Sequence, residues 1–182
     1  MNDAWSHFAR ANDGEHLVPP GILGQSLWTS IADQTTRQLY AALLKRLRNG
    51  TGPARFRFRC DGPTQRRLLE MQLAATVAGE VEFHTRLVAS QAREDVSLLD
   101  AEAPRSDALL TICGWCMRIP IPADQWLEVE SAIPELGLFE ESPLPMLSHG
   151  MCPRCYDTML ASLDDPNRAR SGEITLGALP PV

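Results

Sequence analysis

The stretches TICGWCMRIP (residues 111–120) and SHGMCPRC (residues 148–155) decide which fold this chain can form. Each contains two cysteines separated by two residues; together these are Cys113, Cys116, Cys152 and Cys155. Two residues between thiolates let a tight turn point both sulfurs at one ion, and two such turns supply four ligands. The spacing therefore predicts a structural, tetrahedral zinc site, although the gap between the two pairs is longer than the commonest spacings.

The first pair alone is also compatible with a thiol–disulfide oxidoreductase or redox switch that uses Cys113 and Cys116. Thioredoxin-like sites place the first cysteine at the N-terminus of a helix, which lowers its pKa. Here the sequence continues as MRIPIP, in which two prolines at alternate positions disfavour a helix. A redox centre also has no need of a second cysteine pair. The sequence thus favours zinc and keeps redox chemistry as the alternative.

Residues near the cysteines have secondary roles in this prediction. His149 lies three residues before Cys152 and is a candidate ligand. Because four thiolates are already available, we expect His149 to lie behind the metal ligands and donate a hydrogen bond to a sulfur or a backbone carbonyl, or to have no role. Gly114 is expected to permit the tight turn, and Trp115 to cover the sulfurs. Cys60 is expected to be a small apolar residue of a strand.

Composition and charge narrow the class of protein. Of the 182 residues, 44% are hydrophobic and 22% are charged, which is typical of a globular chain. The sequence has no signal-peptide pattern and no apolar run of membrane-helix length, so we expect a cytoplasmic protein with reduced cysteines. Residues 108–165 carry nine acidic side chains against Arg118 and Arg154. This excess repels a phosphate backbone and argues against the second alternative, a zinc-finger nucleic-acid-binding protein.

Periodicity predicts a helix followed by a three-stranded meander. Asp33 is expected to cap a helix over 34–48, whose leucines repeat every four residues. Alternation of apolar and charged residues then predicts strands at 55–60, 69–73 and 81–87. Farther along, Asp124 is expected to cap a helix that carries Trp126 and Val129. Another helix is expected to begin at Pro153.

Two stretches resemble known bacterial families. Residues 1–90, with WSHFARANDG, VPPGILGQSLWTSI and FRFRCDGPTQRRLLEMQL, resemble divergent PAS-type sensor domains. Residues 108–160, with ICGWCMRI and SHGMCPRCY, resemble a C-terminal segment attached to PAS domains, kinases and response regulators, and the predicted module extends over residues 108–165. The resemblance implies an α+β fold, with a PAS-like antiparallel sheet covered by helices on one face and a small zinc-stabilised C-terminal module. Residues 91–107 would be a linker and residues 166–182 a disordered tail.

The resemblance leaves two structural questions open. A full PAS fold has two strands before its helices, so here the first strand is missing, begins upstream, or is replaced by a partner chain that covers the edge. The resemblance also implies a small-molecule pocket lined by Trp28, Phe56, Phe58, Met71 and Phe83. Apolar residues at strand spacing more often simply fill a core.

Arginines at alternate positions of the first predicted strand form a ladder of Arg55, Arg57 and Arg59. Such a ladder suits an anion or nucleotide site. More commonly it is a solvated face, whose charges pair with residues of the neighbouring strand such as Glu70. The sequence favours the solvated face.

The expected function is that of a non-enzymatic bacterial signalling or regulatory protein. A PAS-like sensing or protein-interaction domain would be coupled to the structural four-cysteine zinc module. The sequence contains no kinase, cyclase or phosphodiesterase motif, no phosphate loop and no nucleophile–base pair. The output would therefore pass through a protein partner or a homodimer, with an unknown small molecule as a candidate ligand and without nucleic acid or membrane.

Overall fold

The computed structural model describes residues 1–12, 14–138, 143–164 and 174–179. The chain has a mixed α+β fold and divides into two compact units, Met1–Ala32 and Asp33–Val182. Most of the predicted tail, residues 166–173 and 180–182, lies outside the described residues. Among the described residues, no helix combines the length and apolar character needed to cross a bilayer.

The first unit is built around a short helix and two 3-10 turns. Helix α1 spans Asp3–Arg10, and the side chain of Asn2 caps it by accepting a hydrogen bond from the backbone N–H of Trp5 at 3.1 Å. The 3-10 turns lie at Glu15–Leu17 and Leu27–Ser30. The indole N–H of Trp5 donates to the carbonyl of Leu17 at 2.8 Å, which ties α1 to the first turn.

The second unit begins with helix α2, Gln34–Arg48, as the sequence predicts. The carboxylate of Asp33 accepts a hydrogen bond from the backbone N–H of Thr36 at 2.7 Å and so caps the helix. Leucines along one face of α2 are buried, and they pack in one core with Phe56 and Leu73. This helix therefore covers the apolar face of the sheet that follows.

The sheet contains the three predicted strands in antiparallel order. They are β1 (Ala54–Arg59), β2 (Gln65–Ala75) and β3 (Val81–Ala92). Counting β8 (Ile174–Thr175), the last strand in chain order, the sheet has the order β3-β2-β1-β8. The antiparallel meander is thus confirmed, and its outer edge on the β3 side has no neighbour among the described residues.

Strand β8 is a correction to the predicted disordered tail. It spans Ile174–Thr175 and pairs in parallel with β1. The next residue, Leu176, donates its backbone N–H to the carbonyl of Arg57 at 2.9 Å, and its side chain is buried. Residues 174–179 are ordered because the edge of β1 offers free backbone groups and the core accepts the side chains of Ile174 and Leu176.

The cysteine-bearing region contains two small two-stranded sheets. Strand β4, Arg105–Cys113, pairs in parallel with β7, Leu144–Gly150. Strand β5, Arg118–Ile121, forms an antiparallel hairpin with β6, Gln125–Glu128. Helix α3 spans Val129–Glu135 and helix α4 spans Pro153–Asp164.

Two predictions about helices have different outcomes here. Helix α4 begins at Pro153, as predicted from proline at the first helical position. The helix expected after Asp124 instead begins at Val129, because strand β6 occupies 125–128. Ala123 and Asp124 have φ angles of 69° and 56°. These left-handed residues turn the chain back into a hairpin, so Asp124 is no helix cap.

The predicted linker, residues 91–107, is part of the folded unit. Strand β3 continues to Ala92, and the side chains of Val96 and Leu98 are buried in a second core with Ile112 and Val129. In the sequence, these two apolar residues lie among polar neighbours, so no periodic pattern predicts their burial. Residues 33–182 therefore form one compact unit, which differs from the expected division into a domain at 1–90 and a module at 108–165.

Candidate metal centre

The first cysteine pair lies where β4 ends and the chain turns toward β5. Cys113 is the last residue of β4, and its carbonyl accepts a hydrogen bond from the backbone N–H of Met117 at 2.9 Å. The N–H of Gly114 donates to the carbonyl of Gly150 on the adjacent β7 at 3.0 Å. Met117, with φ of 62°, is the left-handed residue of this turn. Gly114 is therefore not the residue that the turn geometry requires, which corrects the expectation for it.

The second pair lies at the start of α4. Cys152 directly precedes the helix, and its sulfur accepts a hydrogen bond from the backbone N–H of Cys155 in the first turn at 3.4 Å. The N–H of Cys152 in turn points to the sulfur of Cys113 at 3.4 Å. Backbone N–H groups and the positive end of α4 thus face the sulfurs and favour negative charge on them.

Parallel pairing of β4 with β7 brings the two cysteine pairs together. All four sulfurs are buried, and they lie within 4.8 Å of one another. The sulfurs of Cys116 and Cys152 are 3.7 Å apart. Zinc–sulfur bonds of about 2.3 Å in a tetrahedron put the sulfurs about 3.8 Å apart. The four predicted ligands therefore form one cluster that can hold a metal ion.

The four thiols titrate as one group because their sulfurs contact one another. Hydrogen bonds from neighbouring thiols, above all that of Cys116, lower the pKa of Cys113. Hydrogen bonding to Cys113 raises the pKa of Cys116 and of Cys155, since these thiols act as the donors. Four thiolates at these distances repel one another, and a divalent cation would offset their charge and displace the protons.

The centre lies inside the core of the sheet and not in a separate module. The four cysteines share one core with Leu39 and Leu43 of α2, with Phe56 of β1 and with Met159 of α4. Alternation along β4 explains how both cores meet at this strand, because Cys113 faces the first core and Ile112 the second. Loss of the centre would therefore disturb the packing of α2 and the sheet.

The side chain of Trp115 connects the cysteine turn to the sheet. Its ring centroid lies 5.0 Å from that of Phe56 and 5.9 Å from that of Tyr40. Burial raises the pKa of Tyr40 to about 12. The backbone carbonyl of Trp115 accepts a hydrogen bond from the N–H of Arg59 at 2.8 Å. The cysteine turn thus contacts β1 through an aromatic pair and through a backbone hydrogen bond.

The C-terminal segment, defined as residues 174–179, closes the centre on the side of β1. The sulfur of Cys155 lies 3.4 Å from the carbonyl oxygen of Leu176. A Cβ on Gly177 would lie 2.8 Å from Cγ of Arg59 and 3.2 Å from Cα of Cys116. Glycine is required at this position because the backbone passes between β1 and the cysteine turn. The sequence contains no sign of this contact.

His149 and Cys60 stand outside the cluster. His149 is exposed, and its ring carbon Cδ2 would lie 3.7 Å from a Cβ on Gly114. Within the described ranges, the expected hydrogen bond from the His149 ring to a sulfur or a carbonyl is not found. Cys60 directly follows β1 and is half-buried, and burial raises the pKa of its thiol.

The five residues expected to line a ligand pocket have different environments. Phe56 is buried in the first core, and Phe58 and Met71 pack against it. Phe83 is 40% exposed at the rim of the sheet, and Trp28 is an exposed residue of the first unit. The cavity next to Phe56 measures about 10 Å³, which is room for about one water molecule. In the described part of the second unit, side chains fill this face of the sheet.

The sequence prediction missed a buried ion network between the sheet and the cysteine-bearing region. Arg59, placed on the solvated face by alternation, is 1% exposed and pairs with Asp61 and, at 3.2 Å, with Glu128. Arg93 pairs with Asp61 at 3.2 Å and with Glu130 at 2.8 Å. The expectation of a solvated arginine ladder is therefore wrong for Arg59, because β6 and the C-terminal segment cover it.

The other two arginines of the ladder behave as expected. Arg57 and Arg55 reach Glu70 of β2 at 3.4 and 3.9 Å, and Arg86 of β3 reaches the same carboxylate at 2.8 Å. Burial raises the pKa of Glu70, but hydrogen bonds from Arg86 and Arg57 outweigh it, so the net shift is downward. This face of the sheet is thus an internally paired charged surface.

The sequence matches no known family model, and no curated protein or solved structure is significantly similar to it. Functional inference therefore starts from the four-sulfur cluster and from the sheet with which it shares a core.

Proposed function

We propose that the chain is a non-enzymatic regulatory protein of a bacterial cytoplasm, in which a structural zinc ion at the four cysteines stabilises a sensing or protein-interaction fold. The ligands would be Cys113, Cys116, Cys152 and Cys155. The signal would reach a protein partner by contact and not by a chemical reaction.

The single observation that carries the zinc assignment is the closed packing of the sulfurs. The exposed fractions of the four cysteines lie between 0% and 6%. A catalytic zinc site keeps one position open for water or substrate, whereas a structural site is closed by four protein ligands. A disulfide would instead require two sulfurs at about 2.05 Å, and all four cysteines are free thiols.

Two observations bear on the choice between an interaction role and small-molecule binding at the sheet. The resemblance of residues 1–90 to PAS-type sensor domains suggests signalling, where such domains act through ligands or partners. Phe56 is 1% exposed, and the adjacent cavity has room for about one water molecule. The apolar face of the sheet therefore favours packing as its role and not ligand binding, and we propose that a partner contacts the exposed surface.

Zinc binding is tested by native mass spectrometry of protein purified without chelator, together with elemental analysis. We expect one zinc per chain, released when the thiols are modified. Cys155→Ser should lose the metal and unfold at a lower temperature, because it removes one of four ligands in a shared core. Cys60→Ser is the matched control, since Cys60 lies outside the cluster, and should keep both the zinc and the wild-type transition.

Other outcomes would separate the alternatives. Metal-free protein with a reducible Cys113–Cys116 disulfide would overturn the zinc proposal in favour of a redox switch. Bound iron, visible by its colour, would keep the site but change the metal, because tetrahedral sulfur sites accept either. Salt-dependent binding to generic DNA would revive the nucleic-acid alternative.

A further inference from the structure

Strand β3 is an unusually open edge of the sheet. It is 12 residues long and hydrogen-bonds to β2 on one side only, within the part of the chain that the structure describes. The six residues 82–87 are all exposed, and they include Phe83 at 40% and Leu87 at 55%. Natural sheets avoid long open edges with apolar side chains, because such edges pair with other chains. We therefore expect this edge to pair with a strand of another chain.

The pairing of β3 with β2 limits the regular part of this edge. The register runs without interruption from Val81 to Leu87 and then shifts, with Leu68 opposite Ala89 and Leu69 opposite Leu87. A shift of this kind is a bulge, which bends the strand and ends regular pairing. The flat part of the edge is therefore the seven-residue segment 81–87, and its central residue is His84.

An antiparallel pair of identical strands around a two-fold axis places one residue opposite itself. With His84 on the axis, the whole flat segment is used. Glu82 of one copy then lies opposite Arg86 of the other, and the same charge pair occurs twice. On the other face, Val81 meets Leu87 and Phe83 meets Thr85. Both faces of the segment are thus self-complementary.

We infer that two copies of this chain associate through the edge of β3, antiparallel and centred on His84, to form one continuous sheet across the dimer. A partner of different sequence would have no reason to match this symmetric order of charges. The inference goes beyond the proposed zinc role and does not rest on it, because β3 contributes no ligand to the metal centre.

Charge reversal tests the inference by sedimentation or light scattering over a concentration series. Wild type should be a dimer in equilibrium with monomer. Glu82→Arg and Arg86→Glu, each alone, place like charges opposite each other twice per dimer. Each should therefore raise the dissociation constant of the dimer by about tenfold or more. Glu102→Arg is the matched control, because Glu102 is exposed and lies outside β3, and it should dimerise like wild type.

Mixing the two charge-reversal variants gives a sharper result. The Glu82→Arg chain carries arginine at both positions of the pair, and the Arg86→Glu chain carries glutamate at both. Opposite charges then meet at both ends of the antiparallel pair, so the mixture should form heterodimers with near wild-type affinity. A loss of folding cannot produce this rescue.

A monomeric wild type, dimers insensitive to both reversals, or a mixture without heterodimers would overturn the inference. Since Cys155→Ser leaves the sequence of β3 unchanged, the dimer test and the zinc test can fail independently.

Discussion

At the scale of single residues, the position that requires glycine lies in the C-terminal segment and not in the cysteine turn. Gly114 lies between two cysteines, yet a Cβ there would meet its nearest neighbour, a carbon of the His149 ring, at an ordinary 3.7 Å. Gly177 lies in a stretch without any motif, and a Cβ there would overlap Arg59 and approach the backbone of Cys116. Close approach of backbone to backbone, and not proximity to the motif, decides where glycine is needed.

We therefore expect Gly177→Ala to destabilise the protein by about 1–3 kcal/mol, because added volume in a packed site forces neighbours to shift. Buried Arg59 is held by its ion pairs and cannot move aside easily. Release of the proposed zinc ion to a chromogenic chelator should also become faster. Gly114→Ala is the control and should change stability by less than about 0.5 kcal/mol. Equal effects of the two substitutions in denaturant unfolding would contradict this account of the segment.

At the scale of elements, the β5–β6 hairpin replaces a predicted helix and does so with an unfavourable turn. Ala123 and Asp124 both adopt left-handed φ angles, which suits glycine, asparagine or aspartate but costs an alanine about 1–2 kcal/mol. The hairpin forms nonetheless, because Ile119 of β5 is fully buried in the second core. Packing of the strands outweighs the local preference of the turn.

Ala123→Gly should accordingly raise the free energy of unfolding by about 0.5–1 kcal/mol, since relief of the left-handed strain exceeds the added flexibility of glycine. The measurement is the midpoint of guanidinium unfolding at unchanged slope. Ala41→Gly, at an exposed position of α2, is the matched control and should lower stability by about 1 kcal/mol. Destabilisation by both changes would show that Ala123 is not strained.

At the scale of the whole molecule, the ion network and the metal centre both bridge the sheet and the cysteine-bearing region. Asp61 has no exposed side-chain surface and lies between Arg59 and Arg93, which are 1% and 2% exposed. Arg59 and Arg93 also contact Glu128 and Glu130 near the start of α3. Because this ion network connects the two adjacent cores, we expect both cores to unfold in one transition.

Removal of the Asp61 charge tests whether the ion network couples the two cores. Asp61→Asn leaves two buried guanidinium groups without their shared carboxylate, so we expect a loss of about 3–5 kcal/mol. The sheet and the proposed zinc centre should be lost in the same transition, monitored by circular dichroism and by release of the metal. Glu80→Gln, at an exposed turn position, should have little effect. Separate transitions for the two readouts would instead support independent modules.

Local chemistry explains what the sequence by itself determined. The cap at Asp33, the alternation in the three strands and proline at the first position of α4 act over a few residues, so each could be predicted. The grouping of four sulfurs was also predictable, because two Cys-x-x-Cys turns are short-range features with one common chemistry.

Contacts between distant residues account for what only the tertiary structure decided. The side chain of Arg59 pairs with Glu128, which lies 69 residues later in the sequence. The carbonyl of Arg57 accepts a hydrogen bond from the backbone N–H of Leu176 in the C-terminal segment. No local pattern encodes such pairs, so the sequence alone predicts a disordered tail, a linker at 91–107 and a solvated Arg59. Whether four thiols close a separate module or lie within the core of a sheet depends on which surfaces bury together, and that is a property of the folded chain.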